Sequence, residues 1–453
     1  MSTWRRLAPP EELELVHPTR RPHVLLVAMY YPPSRASGVF RPLAMANHFA
    51  ASGWDVTVVT VTEDFYDRVV GSRDDSLLAK IDPRVHVLRV PLPMSHLDPE
   101  LRHRGRLATT LPFVHSRLTI AGQKHVFPER YGSWILPVAR EIGRVHRHHP
   151  VDVVVATGNP WADFAAAYVA HVRHRIPYVM DYRDSWTLDL FEETDAFPPG
   201  HLARRWERRL IGSAARVTFV NAALRHWHAQ RYPDAADRMR VLPNGYDADL
   251  LGEPRFRAPE PGAPLRFGFI GTVTEQHPHD AMWQGWTLAR RDPAMADATA
   301  HVYGHLGFFA RQADRIRALL PLEDEVGVTY EGPVSKATIG GVYDGLDAIL
   351  LMAADSRYVT SGKVFECMAS GKPIAGVFSP TTAIAEPLAG YPLAWPAAEL
   401  TPQGVADALV ATARGARTQT ERQHVEALAH ARTYRRDALL EPFVDEIAQV
   451  AGV

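Results

Sequence analysis

The chain gathers its apolar residues into short, largely apolar runs, and most runs are followed by a stretch with helical spacing. HVLLVAMYY (23–31), DVTVVTVT (55–62), VDVVVATG (151–158), YVMDYRD (178–184) and ARVTFVN (215–221) make one set. LRFGFIG (265–271), ATAHVYG (298–304), VTYEG (328–332), AILLMA (348–353) and IAGVF (374–378) make a second. Apolar runs without polar alternation belong to strands covered on both faces, as in a parallel sheet with helices on either side. Strands of that kind alternating with helices lead to a doubly wound α/β sheet. Between the two sets, residues 247–264 (DADLLGEPRFRAPEPGAP) are rich in proline and charge and read as a linker.

The expected organisation is a loose leader over 1–22, a Rossmann-like domain over 23–247, a linker over 248–264, a second Rossmann-like domain over 265–435, and a final helix over 436–453 that crosses back to the first domain. A length of 453 residues supports two well-buried cores. The formal net charge of −1 gives no general attraction to nucleic acid. The amino-terminal MSTWRRLAPPEELELVHP has charges and prolines where a signal peptide needs an apolar centre, and no apolar run reaches membrane-spanning length. With one cysteine, Cys367, no intrachain disulfide can form, and a cytoplasmic setting is expected.

The stretch that carries chemistry runs from Thr360 to Phe378, TSGKVFECMASGKPIAGVF. Thr360 or Ser361 suits a helix start, Gly371 a left-handed stop, and Pro373 bars continuation. Val364, Phe365, Met368 and Ala369 then share the face that packs on a sheet. Lys363 and Glu366 share the other, differing in height by roughly 4.5 Å. Unpaired N–H groups at the helix start, with Gly362 allowing close approach, make a seat for phosphate. One turn deeper, Glu366 can accept hydrogen bonds from ribose hydroxyls. A plain surface helix with a solvated Lys–Glu pair fits the same residues. A P-loop does not, because GxxxxGK[ST] needs Gly at Arg357 and Ser or Thr at Val364.

Ser37-Gly38 opens a helix over 39–52 and offers a second phosphate-friendly turn, although an ordinary strand-to-helix turn looks the same. Asp181, Arg183 and Asp184 end a strand, where open α/β sheets place their ligand crevice. His146 to His149 read as solvated residues rather than metal ligands. Arg102, Arg104, Arg106, Arg204, Arg205, Arg208 and Arg209 are either solvated helix surface or contacts for acidic lipid headgroups. Asp247-Ala248-Asp249 has the form of a DxD metal site but enters the linker, so no metal is expected there.

Taken together, Arg183-Asp184-Ser185-Trp186, the PNGxD stretch Pro243 to Asp247, Gly332-Pro333-Val334, SGKVFECMASGKP and Pro128 to Trp134 (PERYGSW) resemble the GT-B glycosyltransferases of family 4. The likeness is strongest to their bacterial polysaccharide and secondary-metabolite branch. It implies two Rossmann-like domains facing a cleft, with the acceptor on the first and a nucleotide sugar on the second. It further implies retention of configuration and no bound metal or other cofactor. The donor would be a UDP-sugar first, with GDP- or dTDP-sugar as alternatives. The acceptor would be a glycan, a lipid-linked molecule or a small molecule, with peripheral contact at the inner membrane face and no nucleic acid partner.

Carried onto this chain, the resemblance places Arg183, Asp184 and Lys363 in catalytic roles. It puts Gly38, Arg41, Gly271, Thr272, Gly332, Pro333, Val334, Tyr358, Ser361, Gly362, Lys363 and Glu366 on the nucleotide sugar, and Asn159, Trp186 and Asn244 on the acceptor side. Three positions depart from the family pattern. Tyr358 stands where the family has a glutamate, Thr272 and His277 fall near its arginine and lysine, and Arg183 takes the place of a frequent catalytic histidine. Lys363 and backbone donors, or Arg357 or Arg41, would then carry the phosphate charge. A non-catalytic GT-B nucleotide-binding scaffold and a GT-B nucleotide-sugar epimerase or phosphorylase are the competing readings.

Overall fold

A computed structural model describes residues 20–71, 73–93, 109–247, 249, 251–307, 310–335 and 338–453. Most of the leader and the arginines at 102, 104 and 106 lie outside these residues.

Two parallel sheets organise the chain. The first holds β1 (His23–Val27), β2 (Asp55–Val61), β3 (Val85–Val90), β4 (Val153–Gly158), β5 (Tyr178–Tyr182), β6 (Arg216–Phe219) and β7 (Met239–Val241), in the order β3-β2-β1-β4-β5-β6-β7. The second holds β8 (Arg266–Ile270), β9 (Thr299–Tyr303), β10 (Val328–Gly332), β11 (Ala348–Met352), β12 (Ile374–Val377) and β13 (Ala394–Pro396), in the order β10-β9-β8-β11-β12-β13. The strand order reverses between β1 and β4 and again between β8 and β11. Such a reversal opens a crevice at the carboxyl ends of the strands, where ligands of doubly wound sheets bind.

Local sequence explains the layers. Every residue of β1 and of β11 is buried, so each needs a helical cover on both faces. On one face of the first sheet lies the alanine-rich helix Ala162–His174, whose small side chains allow close approach, beside the helix Ile135–His148, which buries Ile135, Val138, Ala139 and Ile142. On the other face Leu43, Met45 and Phe49 of the helix Phe40–Ala51 join Leu440, Phe443, Val444 and Ile447 of the final helix, Arg436–Ala451. The Phe49 and Phe443 rings meet edge to face at 6.2 Å. The last segment of the chain thus helps to close the core of the first domain.

Two helices, Pro112–His125 and Ile135–His148, lie between β3 and β4; neither they nor the short edge strand β13 figures in the sequence reading above. After β9 the chain forms a 3-10 turn over Ala310–Gln312 and an α-helix over Ala313–Arg317.

Candidate functional site

The second domain contributes a floor without side chains. Gly271, Gly304 and Gly332 stand at or just beyond the ends of the adjacent strands β8, β9 and β10, tied by Gly271 N–H to Tyr303 O (2.9 Å) and Gly304 N–H to Gly332 O (2.8 Å). Gly304 has φ +140°, and a Cβ there would lie 1.8 Å from the Gly271 carbonyl oxygen, so only glycine fits. Sequence reasoning selects Gly271 and Gly332 but misses Gly304, although it ends a strand in the same way.

Above this floor stands the helix Lys363–Ala369. Val364, Phe365, Met368 and Ala369 are buried as their spacing requires, and Gly371, at φ +67°, ends the turn. A Cβ on Gly271 would lie 3.7 Å from Lys363 Cε, which places the lysine stem over the end of β8. Lys363 Nζ pairs with Glu366 Oε2 at 2.5 Å; their side chains are 35% and 13% exposed. A Cβ on Gly362 would meet nothing within 4 Å, so the backbone ahead of the helix faces open space. The N-cap residue Gly362 has no side chain to cap the helix; Ser361 Oγ accepts the Lys363 N–H at 3.3 Å, and Thr360 is occupied elsewhere. Val334, half-buried, packs in the same apolar cluster as Ile270 and Val364. Pro333 is exposed, Thr272 half-buried.

On the first domain, Gly38 lies in the 3-10 turn Ser37–Val39 that runs into the helix Phe40–Ala51. A Cβ at Gly38 would fall 1.8 Å from Arg183 Nη1. The glycine therefore makes room for a guanidinium rather than for a bare phosphate. Arg183 Nε donates to Gly158 O at 3.2 Å and Nη2 donates to Asn159 O. The exposed Asn159 donates from Nδ2 to Asp184 Oδ2 at 3.2 Å. Burial pushes the Asp184 carboxyl above its ordinary value, against the opposing pull of Arg183. Arg183, Asp184, Asn159 and Gly38 thus form one connected group at the carboxyl ends of β4 and β5.

Several expected site residues have other work. Arg41 is buried, with Nε and Nη2 on the two carboxylate oxygens of Asp181 (2.8 and 2.6 Å) and further bonds to Leu242 O and Pro243 O. Every polar edge of its fork is committed beneath the crevice, so it cannot also meet a donor phosphate. Trp186 is 5% exposed and stacks on Trp161 at 5.7 Å, which makes it core rather than acceptor surface. Asn244 donates to Thr360 O at 3.0 Å and accepts from Arg436 Nε through its carbonyl, so it ties domains together. Tyr358 packs on the core of the first domain, and Arg357 pairs with Glu193 at 2.6 Å. Asp247 pairs with Arg436, and Asp249 with Lys80 at 3.1 Å. In the histidine run, His146 Nδ1 accepts from Val151 N–H and His149 faces Asp55 at 3.1 Å. Among the described residues, no group of three or more His, Cys, Asp or Glu is placed to hold a metal ion.

Residues 39–245 match the family model for a glycosyl transferase 4-like domain. The chain has the GT-B fold, and its first half carries the likeness to that glycosyl transferase 4-like domain. No curated protein matches this GT-B chain in sequence. Its fold is shared by a glycosyltransferase from Rickettsia africae, at 12% identity over 95% of this chain and 99% of that one, with a TM-score of 0.65. The Anabaena protein HepE, solved with UDP and glucose, is similar at 14% identity over 95% and 100% of the two chains, with a TM-score of 0.61. Sucrose-phosphate synthase from Thermosynechococcus elongatus is similar at 13% identity over 95% and 100%, with a TM-score of 0.62.

Proposed function

We propose that this GT-B protein transfers a sugar from a nucleoside-diphosphate sugar to an acceptor hydroxyl with retention of configuration and without a metal ion. The observation that carries the reading is the meeting of the Lys363–Glu366 face with the open glycine floor at the β8/β11 switch point. The donor is a UDP-sugar, in keeping with the UDP and glucose held by the Anabaena relative; GDP- and dTDP-sugars are the alternatives. Ser361, Gly362 and Lys363 receive the diphosphate, Glu366 the ribose, and the Gly332 to Val334 loop the base edge. The Lys363–Glu366 contact is the resting arrangement. An arriving diphosphate draws the ammonium away and frees the carboxylate for the ribose hydroxyls.

In the transfer step the bond between the anomeric carbon and the phosphate oxygen breaks while the acceptor oxygen bonds to that carbon. The acceptor proton passes to the departing phosphate oxygen, so the carboxylate pair of a hydrolase is not needed. Negative charge grows on the leaving diphosphate, where Lys363 and fixed N–H groups stabilise it. Arg183, held across Gly38, adds positive charge from the facing domain, and Asp184 and Asn159 lie on the acceptor side.

Calorimetric titration with UDP, GDP and dTDP tests the site. Glu366→Ala weakens binding of the preferred nucleotide by about 1 to 3 kcal/mol, the worth of charge-assisted hydrogen bonds. Equal affinity in parent and variant would remove Glu366 from the site.

A cytoplasmic setting with contact at the inner membrane face is part of the same reading. No helix among the described residues is long and apolar enough to cross a membrane. The helix Pro112–His125 nevertheless buries none of its residues and turns Phe113, Leu118 and Ile120 outward, with Val126 beyond it, each more than half exposed. Arg117, Lys124 and the exposed Arg205, Arg208 and Arg209 lie on this helix or on its neighbour Leu202–Ser213, which is joined to it by Trp206 Nε1 donating to Val126 O at 2.7 Å. Arg204 is not available, being paired with Asp195 at 2.5 Å. Apolar residues flanked by cations suit an anionic lipid surface holding a lipid-linked acceptor. Cosedimentation with phosphatidylglycerol vesicles is expected to fall about tenfold when Phe113 and Leu118 are both replaced by Asp. Equal sedimentation with phosphatidylcholine vesicles would refute the contact.

A further inference from the structure

The segment leading from β11 into the donor helix is held by the opposite domain. Ser356 Oγ donates to Leu190 O, and Arg357 donates from its backbone N–H and from Nε to the two carboxylate oxygens of Glu193, at 2.9 and 2.6 Å. Asn221 Nδ2 donates to Tyr358 O at 2.9 Å and to Thr360 Oγ1 at 3.0 Å, while Asn244 Nδ2 takes Thr360 O. The Tyr358 ring rests on the core of the first domain. Ser361, Gly362 and Lys363 follow directly.

The groups that do the holding are themselves fixed. Leu190 and Glu193 ride on an arm, residues 187–196, closed by Asp189 N–H to Thr194 O (2.8 Å) and Ala196 N–H to Thr187 O (3.0 Å). Thr187 Oγ1 donates to the fully buried Glu207 at 2.5 Å, and that carboxylate also takes the Tyr182 and Tyr232 hydroxyls. Asp195, on the same arm, is gripped by Arg204 and Arg231, each at 2.5 Å. Glu193 sits at φ +54°, a left-handed conformation costly for a residue with a side chain and sustained by its surroundings. The arm is thus a rigid extension of the acceptor domain that ends on the donor segment.

We propose that Asn221 and Glu193 are positioning residues for the donor, clasping residues 356–360 so that the start of the Lys363 helix is ordered only while the domains are engaged. The inference rests on the nucleotide-sugar reading above. The donor pocket is then a property of both domains, although neither Asn221 nor Glu193 touches the donor. Engagement and donor affinity rise and fall together, because each closes the same segment.

Asn221 offers a clean test, because its two ends do different things. Its Oδ1 caps the helix Ala222–Arg231 by accepting Leu224 N–H at 2.8 Å, and only its Nδ2 reaches the clasp. Asn221→Asp keeps a good cap and loses the donor. In the full chain, Asn221→Asp and Glu193→Ala each weaken UDP binding about tenfold by calorimetry, while Glu193→Gln, which keeps one of the two oxygens that accept from Arg357, falls between Glu193→Ala and the parent. Amide hydrogen exchange quickens over 361–369 in Asn221→Asp without ligand and is unchanged over 222–231. Parent-like exchange over 361–369 together with parent-like UDP affinity overturns the clasp. A parent chain that binds none of UDP, GDP and dTDP overturns the donor reading instead, and the exchange comparison alone then decides the clasp.

Discussion

Replacing Lys363 by alanine lowers the transfer rate by about a hundredfold to a thousandfold, the usual cost of removing one group that stabilises charge on a leaving oxygen. The fold survives, since the lysine side chain is a third exposed and its charge partner is Glu366 one turn on. The effect falls on turnover more than on ground-state binding, because the diphosphate acquires its extra charge only as the glycosyl bond breaks. Nucleotide release from a saturating UDP-sugar in the presence of acceptor measures it. A change of less than about tenfold would show that backbone N–H groups carry the charge without the ammonium.

Arg41→Met destabilises the protein by about 3 to 5 kcal/mol, the cost of stranding a buried charge. The Arg41 and Asp181 side chains are 6% and 0% exposed, and Asp181 also accepts from the hydroxyls of Thr157 (3.2 Å) and Thr218 (2.7 Å). Burial alone would raise the Asp181 carboxyl, but Arg41, with help from Thr218, holds it below its ordinary value. A depressed carboxyl contributes stability that is complete above its unfolded pKa and is lost as pH falls through the folded one. In Arg41→Met the carboxyl is no longer compensated and its pKa rises, which reverses the sign. The gap between parent and variant therefore narrows as pH is lowered from 7 toward 4. Urea denaturation at pH 7 and pH 5 checks both claims. A constant gap would mean that Asp181 is not the group left unpaired.

The helix Lys363–Ala369 is legible in sequence because capping, periodicity and the breaker at Pro373 all agree within a short span, and most of the strands follow from the largely apolar runs. Arg41 and Trp186 are misread for a shared reason. Their types suit ligand contact, but what they do is set by Asp181 and Trp161, partners far along the chain that only the folded sheet brings near. Gly38 is legible as a glycine turn that opens a helix, yet the group that claims the space beside it is Arg183, which spacing does not reveal. Asn221 shows its local half, a helix cap before Ala222, and conceals the interdomain half. Glu193 gives no signal at all, since its conformation and its partner Arg357 belong to a loop contact.

The final helix has a consequence for how the protein is made. Phe443, Val444 and Ile447 cover Phe49 and its neighbours in the first domain, so that apolar surface is wet throughout synthesis of the second. A chain halted before residue 436 presents to the cell a nearly finished first half with a greasy, uncovered face, a natural mark for chaperones and proteases, and becomes self-sufficient only when its last turns arrive.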